Sequence, residues 1–359
     1  MKVSIGSRVI DGPWGGGNLF VINLKKFLIN NGHQVVHDLC DRDIDIILLT
    51  DPRSRKESSS TFNNNDILKY KRYVNPNVVV IQRINECDER KGTNFINKFY
   101  LEASESSDHV IFVSNWLREI YLNIGMPVLK TSVIMSGADS DIFNDIDSAD
   151  FNKDNIKFVT HHWSSHVNKG FDIYLRFDEI LDLDKYKNIE FTYIGNVPSE
   201  IKFNNIITKN PLSGKKLADE IKKHHIYLTA SKNEPSGNHH IEAAQCGLPV
   251  LYLNSGGIPE YCKGFGVDFN DDFEEGLNKI ILEYDLHKKN MSKYPFSSDV
   301  MCKEFFNKFI DIQNNKDIVD DNVNNFATLV YLQKNKIQRI FTNFTLKQIV
   351  KKYLKRLFK

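Results

Sequence analysis

Twice along the chain, short apolar runs alternate with segments whose apolar residues recur at helical spacing, and this repetition restricts the fold more than any other feature. Parallel strands need a crossover between them, usually a helix, so a strand-helix-strand rhythm points to a parallel sheet covered by helices. In the first series Val3 to Gly6 reads as a strand. Leu19, Phe20, Leu24, Phe27 and Leu28 then mark a helix that Asn31-Gly32 stops. Strands follow at His33 to Val36, Ile44 to Leu49, Val78 to Ile81 and His109 to Val113, and Ser114 is suited to cap a helix through Tyr121. The nearly continuous apolar runs suit strands buried on both faces.

A polar stretch from Asp145 to Asn155 interrupts the rhythm, which restarts with strands at Lys157 to His161, Phe191 to Ile194, Ile226 to Thr229 and Pro249 to Tyr252. Helices are expected from about Gly170, from Ser213 to Lys223 and from Asn238. The predicted fold is α/β: two doubly wound, Rossmann-like domains at 1–150 and 151–310, then an extension at 311–359. Ser54 to Asn65 is polar and irregular and reads as a loop or a short helix cap.

Composition narrows the setting. With 41% hydrophobic and 26% charged residues, the 359-residue chain can bury a sizeable core. Cys40, Cys87, Cys246, Cys262 and Cys302 are scattered with no C-x-x-C pair, which suits a reducing compartment. No apolar run approaches twenty residues and no signal-peptide pattern opens the chain, so a cytoplasmic protein is expected. The total charge of +1 hides an asymmetry: residues 333–359 carry nine Lys or Arg and no Asp or Glu, leaving −8 elsewhere. Within that tail Leu346, Ile349, Val350, Tyr353, Leu354, Leu357 and Phe358 oppose Lys347, Lys351, Lys352, Lys355, Arg356 and Lys359, an amphipathic basic helix. Such a helix either lies on an anionic membrane surface or packs on the protein with its lysines solvated. A basic stripe interleaved with base-stacking aromatics is missing, which argues against nucleic acid as partner.

Two segments carry chemistry. Gly12-Pro13-Trp14-Gly15-Gly16-Gly17-Asn18 follows the first strand and opens a helix, where backbone N–H groups can approach an anion. It lacks the G-x-G-x-x-G spacing, which disfavours a nicotinamide enzyme, and a tight βα turn would need the same glycines. Glu234-Pro235-Ser236-Gly237-Asn238-His239-His240-Ile241-Glu242 is sharper. It places two carboxylates across a turn and the first turn of a helix, at the strand edge where open α/β folds bind ligands. Amides of Ser236, Gly237 and Asn238 would face a diphosphate, and the carboxylates suit sugar and ribose hydroxyls. Two solvated acids on a capped helix are the plainer alternative. His161, His162, His166, His239 and His240 invite a metal reading. However, His239 and His240 diverge by about 100° on a helix, and Asp43-Ile44-Asp45 introduces a buried strand. No metal or other cofactor is expected.

The segment Glu234 to Glu242 continues as Ala243-Ala244-Gln245-Cys246-Gly247-Leu248-Pro249-Val250 and then Gly256-Gly257-Ile258-Pro259-Glu260. Together these resemble the signature of the retaining glycosyltransferases of family 4, also called glycosyl transferases group 1, which have the GT-B fold. Ile134-Met135-Ser136-Gly137-Ala138-Asp139 with Phe143 is similar to that family's domain-junction segment, and the opening glycine loop and Lys169-Gly170 also match. The resemblance spans roughly residues 3 to 285 and is specific as a combination, though no single piece is. It implies a central cleft between the domains, with the acceptor on the first and a nucleotide-sugar donor on the second. Lys169 would bind the donor diphosphate, Glu234 the sugar hydroxyls and Glu242 the ribose. Gly16, Gly17, Gly237, Asn238 and His239 would contact the donor through their backbone. The sugar would pass to a hydroxyl of a glycan, a lipid-linked sugar or a small molecule with retention, the leaving phosphate taking the acceptor proton.

Two departures stand out. Many members carry an arginine about five residues before the lysine, where this chain has Ser164, which is counted with the donor-binding residues at that position. A histidine that members often present from the first domain is replaced by the polar run Gln82 to Gly92, so Arg83, Asn85, Asp88 and Arg90 are the candidates for acceptor binding. That run could equally be a charged surface loop. Three other activities fit the same residues: epimerisation of a sugar nucleotide, phosphorolysis, and silent binding of a sugar nucleotide or glycan.

Overall fold

The computed structural model describes residues 1–10, 15–53, 58–270, 272–318 and 323–343, with backbone alone for 338–343. The basic tail at 346–359, Gly12 to Trp14 of the glycine loop and part of the polar loop at 54–57 lie outside the described residues.

Two parallel six-stranded sheets form the frame. The first comprises β1 (Lys2–Ile5), β2 (Gln34–Val36), β3 (Ile46–Leu49), β4 (Val79–Ile84), β5 (His109–Phe112) and β6 (Thr131–Val133), in the order β2-β1-β3-β4-β5-β6. The second comprises β7 (Ile156–His162), β8 (Ile189–Gly195), β9 (Ile207–Lys209), β10 (Ile226–Thr229), β11 (Val250–Tyr252) and β12 (Gly266–Asp268), in the order β12-β11-β10-β7-β8-β9. The helices of the first unit are α1 (Gly16–Asn30), α2 (Asn64–Tyr73), α3 (Asp88–Lys91), α4 (Ile96–Ala103) and α5 (Asn115–Asn123). Those of the second are α6 (Phe171–Ile180), α7 (Gly214–Ile221), α8 (Asn238–Gln245), α9 (Ile258–Cys262), α10 (Phe273–Leu282) and α11 (Tyr284–Met291). Then α12 (Ser298–Asn314) and α13 (Asn325–Asn343) follow. This is the two-domain GT-B architecture.

Local sequence accounts for most of these elements. Every residue of β3 is fully buried, as an Ile-Ile-Leu-Leu run between two helical layers requires. The Ser114 hydroxyl accepts from Leu117 N at 3.2 Å and starts α5. In the polar stretch read as a loop or cap, Asn63 and Asp66 exchange hydrogen bonds as a capping box, and a ten-residue helix follows. The strands β6, β9 and β12 were not foreseen. Each has three residues at or near a sheet edge, too few to show a period.

The helix α12 lies across the boundary expected at residue 310 and packs on the first unit. Met301, Cys302, Phe305 and Phe309 of α12 join the core that contains Val3, Phe20 and Leu24, and Phe305 lies 5.0 Å from Phe20 between ring centroids. The helix α12 thus returns to the first unit, because its apolar face completes the layer that α1 begins.

The strand order reverses between β1 and β3 in one sheet and between β7 and β10 in the other. Ligands bind beyond the carboxyl strand ends at such points. The two units meet at these ends. Glu260 of α9 caps α5, accepting from the backbone N–H of Asn115 at 2.8 Å and of Trp116 at 2.7 Å. Tyr261 donates to Val113 O at 2.5 Å and accepts from Ser136 N at 2.9 Å.

Candidate active site

The turn from β10 into α8 builds one wall of the cleft. Gly237 has φ +75°, in the left-handed region, and a Cβ there would meet His240 Cε1 at 2.6 Å, so glycine is required twice over. The turn buries Glu234, which is 7% exposed, and leaves the α8 amides at the cleft. Opposite stands α1. A Cβ on Gly16 would come within 2.5 Å of Asn238 Oδ1, so the amino ends of α1 and α8 face each other and touch at that side chain. Each end carries partial positive charge, and the two together favour an anion beside that contact.

Glu234 is the centre of a charge network that crosses the cleft. Lys169 Nζ donates to its Oε2 at 2.5 Å and Arg90 Nε to its Oε1 at 2.9 Å. Arg90 Nη1 also donates to Glu86 at 3.1 and 3.2 Å, and Lys91 pairs with the same carboxylate at 3.1 Å. Burial works against the charge of Glu234, but Lys169 and Arg90 outweigh it and hold the carboxyl well below its usual range. Backbone contacts fix the geometry: Asn168 Nδ2 donates to Arg90 O at 2.9 Å and Asn233 Nδ2 to Glu89 O at 3.2 Å. The α3 turn of the first unit is thereby clamped between the two loops that carry Lys169 and Glu234.

Glu242, one turn along α8, is buried and lies 3.0 Å from His161 Nε2, while His161 Nδ1 is 3.2 Å from the Tyr227 hydroxyl. His239 lies 2.9 Å from Thr229 Oγ1, and His162 lies 2.7 Å from the Tyr174 hydroxyl. Neither ring nitrogen of buried His240 has a hydrogen-bond partner among the described residues. Burial holds His162 and His239 well below the usual imidazole range and pushes His240 down to about 3. These rings pack edge to face, His162 and His239 at 4.6 Å and His239 and His240 at 4.9 Å. Among the described residues no group of three or more His, Cys, Asp or Glu side chains is arranged to hold a metal ion.

The remaining candidates separate. Ser164 is half-buried beyond β7, and its hydroxyl accepts from His166 N at 3.2 Å. Gly17 lies in the first turn of α1 beside Gly16. Asn85 is half-buried at the end of β4. Asp88, a candidate acceptor contact, is engaged within its own unit. Its carboxylate accepts from Thr93 Oγ1 and from the backbone N–H of Phe95, Ile96 and Asn97, so it holds the start of α4. Arg90 is turned to Glu234 on the donor wall. Arg83, on β4, is buried with its guanidinium carbon 4.1 Å from the centre of the Phe20 ring. The domain-bridging roles of Glu260 and the pairing of His161 with Glu242 had no local signal, because each depends on a residue more than 80 positions away.

The chain is similar to several known proteins. Residues 177–295 match the family model "Glycosyl transferases group 1". The phosphatidylinositol N-acetylglucosaminyltransferase gpi3 subunit of Schizosaccharomyces pombe is 26% identical over 212 residues, covering 55% of this chain and 46% of that protein. The GPI3 subunit of Saccharomyces cerevisiae is 29% identical over 182 residues, covering 46% and 40%. The chain thus spans less than half the length of the curated relatives it matches. A glycosyltransferase from Rickettsia africae shares the fold with a TM-score of 0.63 at 16% identity, over 88% of this chain and 99% of that one. The matched domain and the relatives are those of glycosyltransferases, and the solved structure shares the fold.

Proposed function

We infer that the chain moves a sugar from a nucleoside-diphosphate-sugar donor to a hydroxyl of a lipid-linked or glycan acceptor, with retention at the anomeric carbon. The observation that carries this reading is the meeting of Lys169 and Glu234 beside the facing amino ends of α1 and α8. A diphosphate seated beside those ends would be held by backbone N–H groups and by Lys169. Its sugar hydroxyls would then donate to Glu234, which stays ionised beside Arg90. Transfer would break the bond from the anomeric carbon to phosphate and form one to the acceptor oxygen. The acceptor proton would pass to the departing phosphate oxygen. Catalysis then consists of stabilising charge on the leaving diphosphate, with donors fixed in advance by the fold. No metal or other cofactor is required by this scheme.

A lipid-linked acceptor is favoured by the names of the relatives and by α13. Phe326, Leu329, Val330 and Ile337 of that helix are exposed, and the basic residues of 346–359 follow in the sequence. An apolar helical face beside basic residues suits peripheral contact with an anionic membrane from the cytoplasmic side.

The test is a thermal-stabilisation screen with UDP, GDP, ADP and their sugars, with Lys169→Ala and Glu242→Ala in parallel. A rise specific to one base and lost in both variants is expected. No rise with any nucleotide would refute the donor assignment.

A further inference from the structure

Arg83 has an environment that no step above uses. Along β4, Gln82 bonds Tyr100 O on one face of the sheet, and Ile84 packs with Tyr100 there. Ile81 and Arg83 therefore share the other face, where Ile81 joins the core that includes α1. Arg83 is 4% exposed and is stacked on Phe20, one turn into α1. Its Nε is sealed from solvent with no acceptor, and no carboxylate pairs with it among the described residues. The α1 amino end above it has no side-chain cap and no acid in its first turn.

A buried guanidinium without a counter-charge is costly, and a positive helix end nearby adds to the cost. Burial accordingly pulls the Arg83 pKa down to about 10. The Tyr261 hydroxyl, reaching in from the second unit, is close enough to favour the charged form but is neutral at ordinary pH. Beside that hydroxyl Ser136 Oγ is buried, with Tyr261 as its polar neighbour and no other hydrogen-bond partner among the described residues. Tyr261 thus stands between buried donors of β4 and of the domain junction, both on the first unit. The donor diphosphate has its own cation in Lys169 on the facing wall.

We propose that Arg83 and Ser136 bind a phosphate group of the acceptor, so that the acceptor is a phosphate ester rather than a neutral sugar. This deepens the glycosyltransferase reading and rests on it. The guanidinium would present paired N–H donors to two phosphate oxygens, with Ser136 Oγ–H as a further donor. The phosphate could belong to a soluble ester or to a lipid headgroup.

The experiment uses the full chain with saturating nucleoside diphosphate, which fills the donor seats, and measures thermal midpoints with added inorganic phosphate and glycerol 3-phosphate. Binding to vesicles of phosphatidylinositol in phosphatidylcholine, against phosphatidylcholine alone, forms the second arm. Wild type should respond to phosphate in at least one arm. Arg83→Gln should weaken that response by about tenfold or more, and Arg83→Lys less. The Arg83→Gln midpoint without phosphate should be unchanged or higher, because an uncompensated buried charge has been removed. Response to glycerol 3-phosphate would identify a soluble ester, and response to phosphatidylinositol vesicles alone a lipid headgroup. A lower ligand-free midpoint with an intact phosphate response would make Arg83 a packing residue and overturn the proposal. So would a wild type indifferent to phosphate in both arms. Failure of nucleotide to bind would instead defeat the donor assignment, which is read separately.

Discussion

Replacing Glu234 should destabilise the protein more than replacing Arg90, although both sit in one network. Lys169 is buried, and its only ion-pair partner among the described residues is Glu234. Glu234→Gln therefore strands a buried ammonium, at a cost of about 3–5 kcal/mol. Arg90→Gln is milder, because Glu234 keeps Lys169 and Glu86 keeps Lys91. It loses hydrogen bonds between charged groups, worth about 1.5–3 kcal/mol. At about 2–4 °C per kcal/mol for a unit of this size, the two variants should differ by several degrees in thermal midpoint. The double variant Glu234→Gln/Lys169→Met removes the stranded charge and should recover much of the loss. The assay is urea and thermal unfolding of wild type, Glu234→Gln, Arg90→Gln, Lys169→Met and the double variant, with the coupling between positions 234 and 169 taken from the cycle. Equal destabilisation by Glu234→Gln and Arg90→Gln, or no recovery in the double variant, would refute the account of Lys169 as dependent on one carboxylate.

Other outcomes follow from the same geometry. Gly16→Leu would place a side chain against Asn238 and hold the domains apart; kcat/KM should fall by about 100-fold with the circular-dichroism spectrum unchanged, and full activity would contradict the facing helix ends. His240 is driven down to about 3 by burial, so the unfolded chain takes up a proton below about 6.5 that the folded chain refuses. Stability is then full above that pH and declines as pH falls through the window, by up to about 1.4 kcal/mol per pH unit for each such histidine. His240→Leu should flatten the urea midpoint between pH 6.5 and 5, and an unchanged slope would count against its burial as a neutral ring. Glu260→Ala removes acceptors from two α5 amides, so the Asn115 and Trp116 amides should exchange hydrogen faster, as measured by mass spectrometry. Leu329→Asp with Ile337→Asp should reduce sedimentation with anionic vesicles several-fold if α13 contributes to membrane contact.

Much of the frame is legible in the order of residues because a parallel sheet writes itself locally. Runs such as Ile46 to Leu49 can only be buried on both faces, and Ser114 marks its helix within three positions. The turn at Gly237 is legible for the same reason, since a left-handed backbone admits few residues. The short strands β6, β9 and β12, and the return of α12 to the first unit, left no such trace. A three-residue edge strand has no period to read, and an amphipathic helix does not announce which core it will cover.

The candidate site divides along the same line. Gly16, Lys169, Glu234, Asn238 and Glu242 stand out in the sequence because each lies at a strand end or a helix start, positions governed by neighbours in the chain. Their pairing does not. Arg90 meets Glu234 across 144 positions, Glu260 meets Asn115 across 145, and Asp88 is drawn away from the cleft by the amides of α4. Which charges find a partner, and which, like Arg83, are left without one among the described residues, depends on how the two units meet. Backbone preference and apolar period act over a few residues and are carried by the sequence. Charge compensation in a cleft acts through space, and only the tertiary structure decides it.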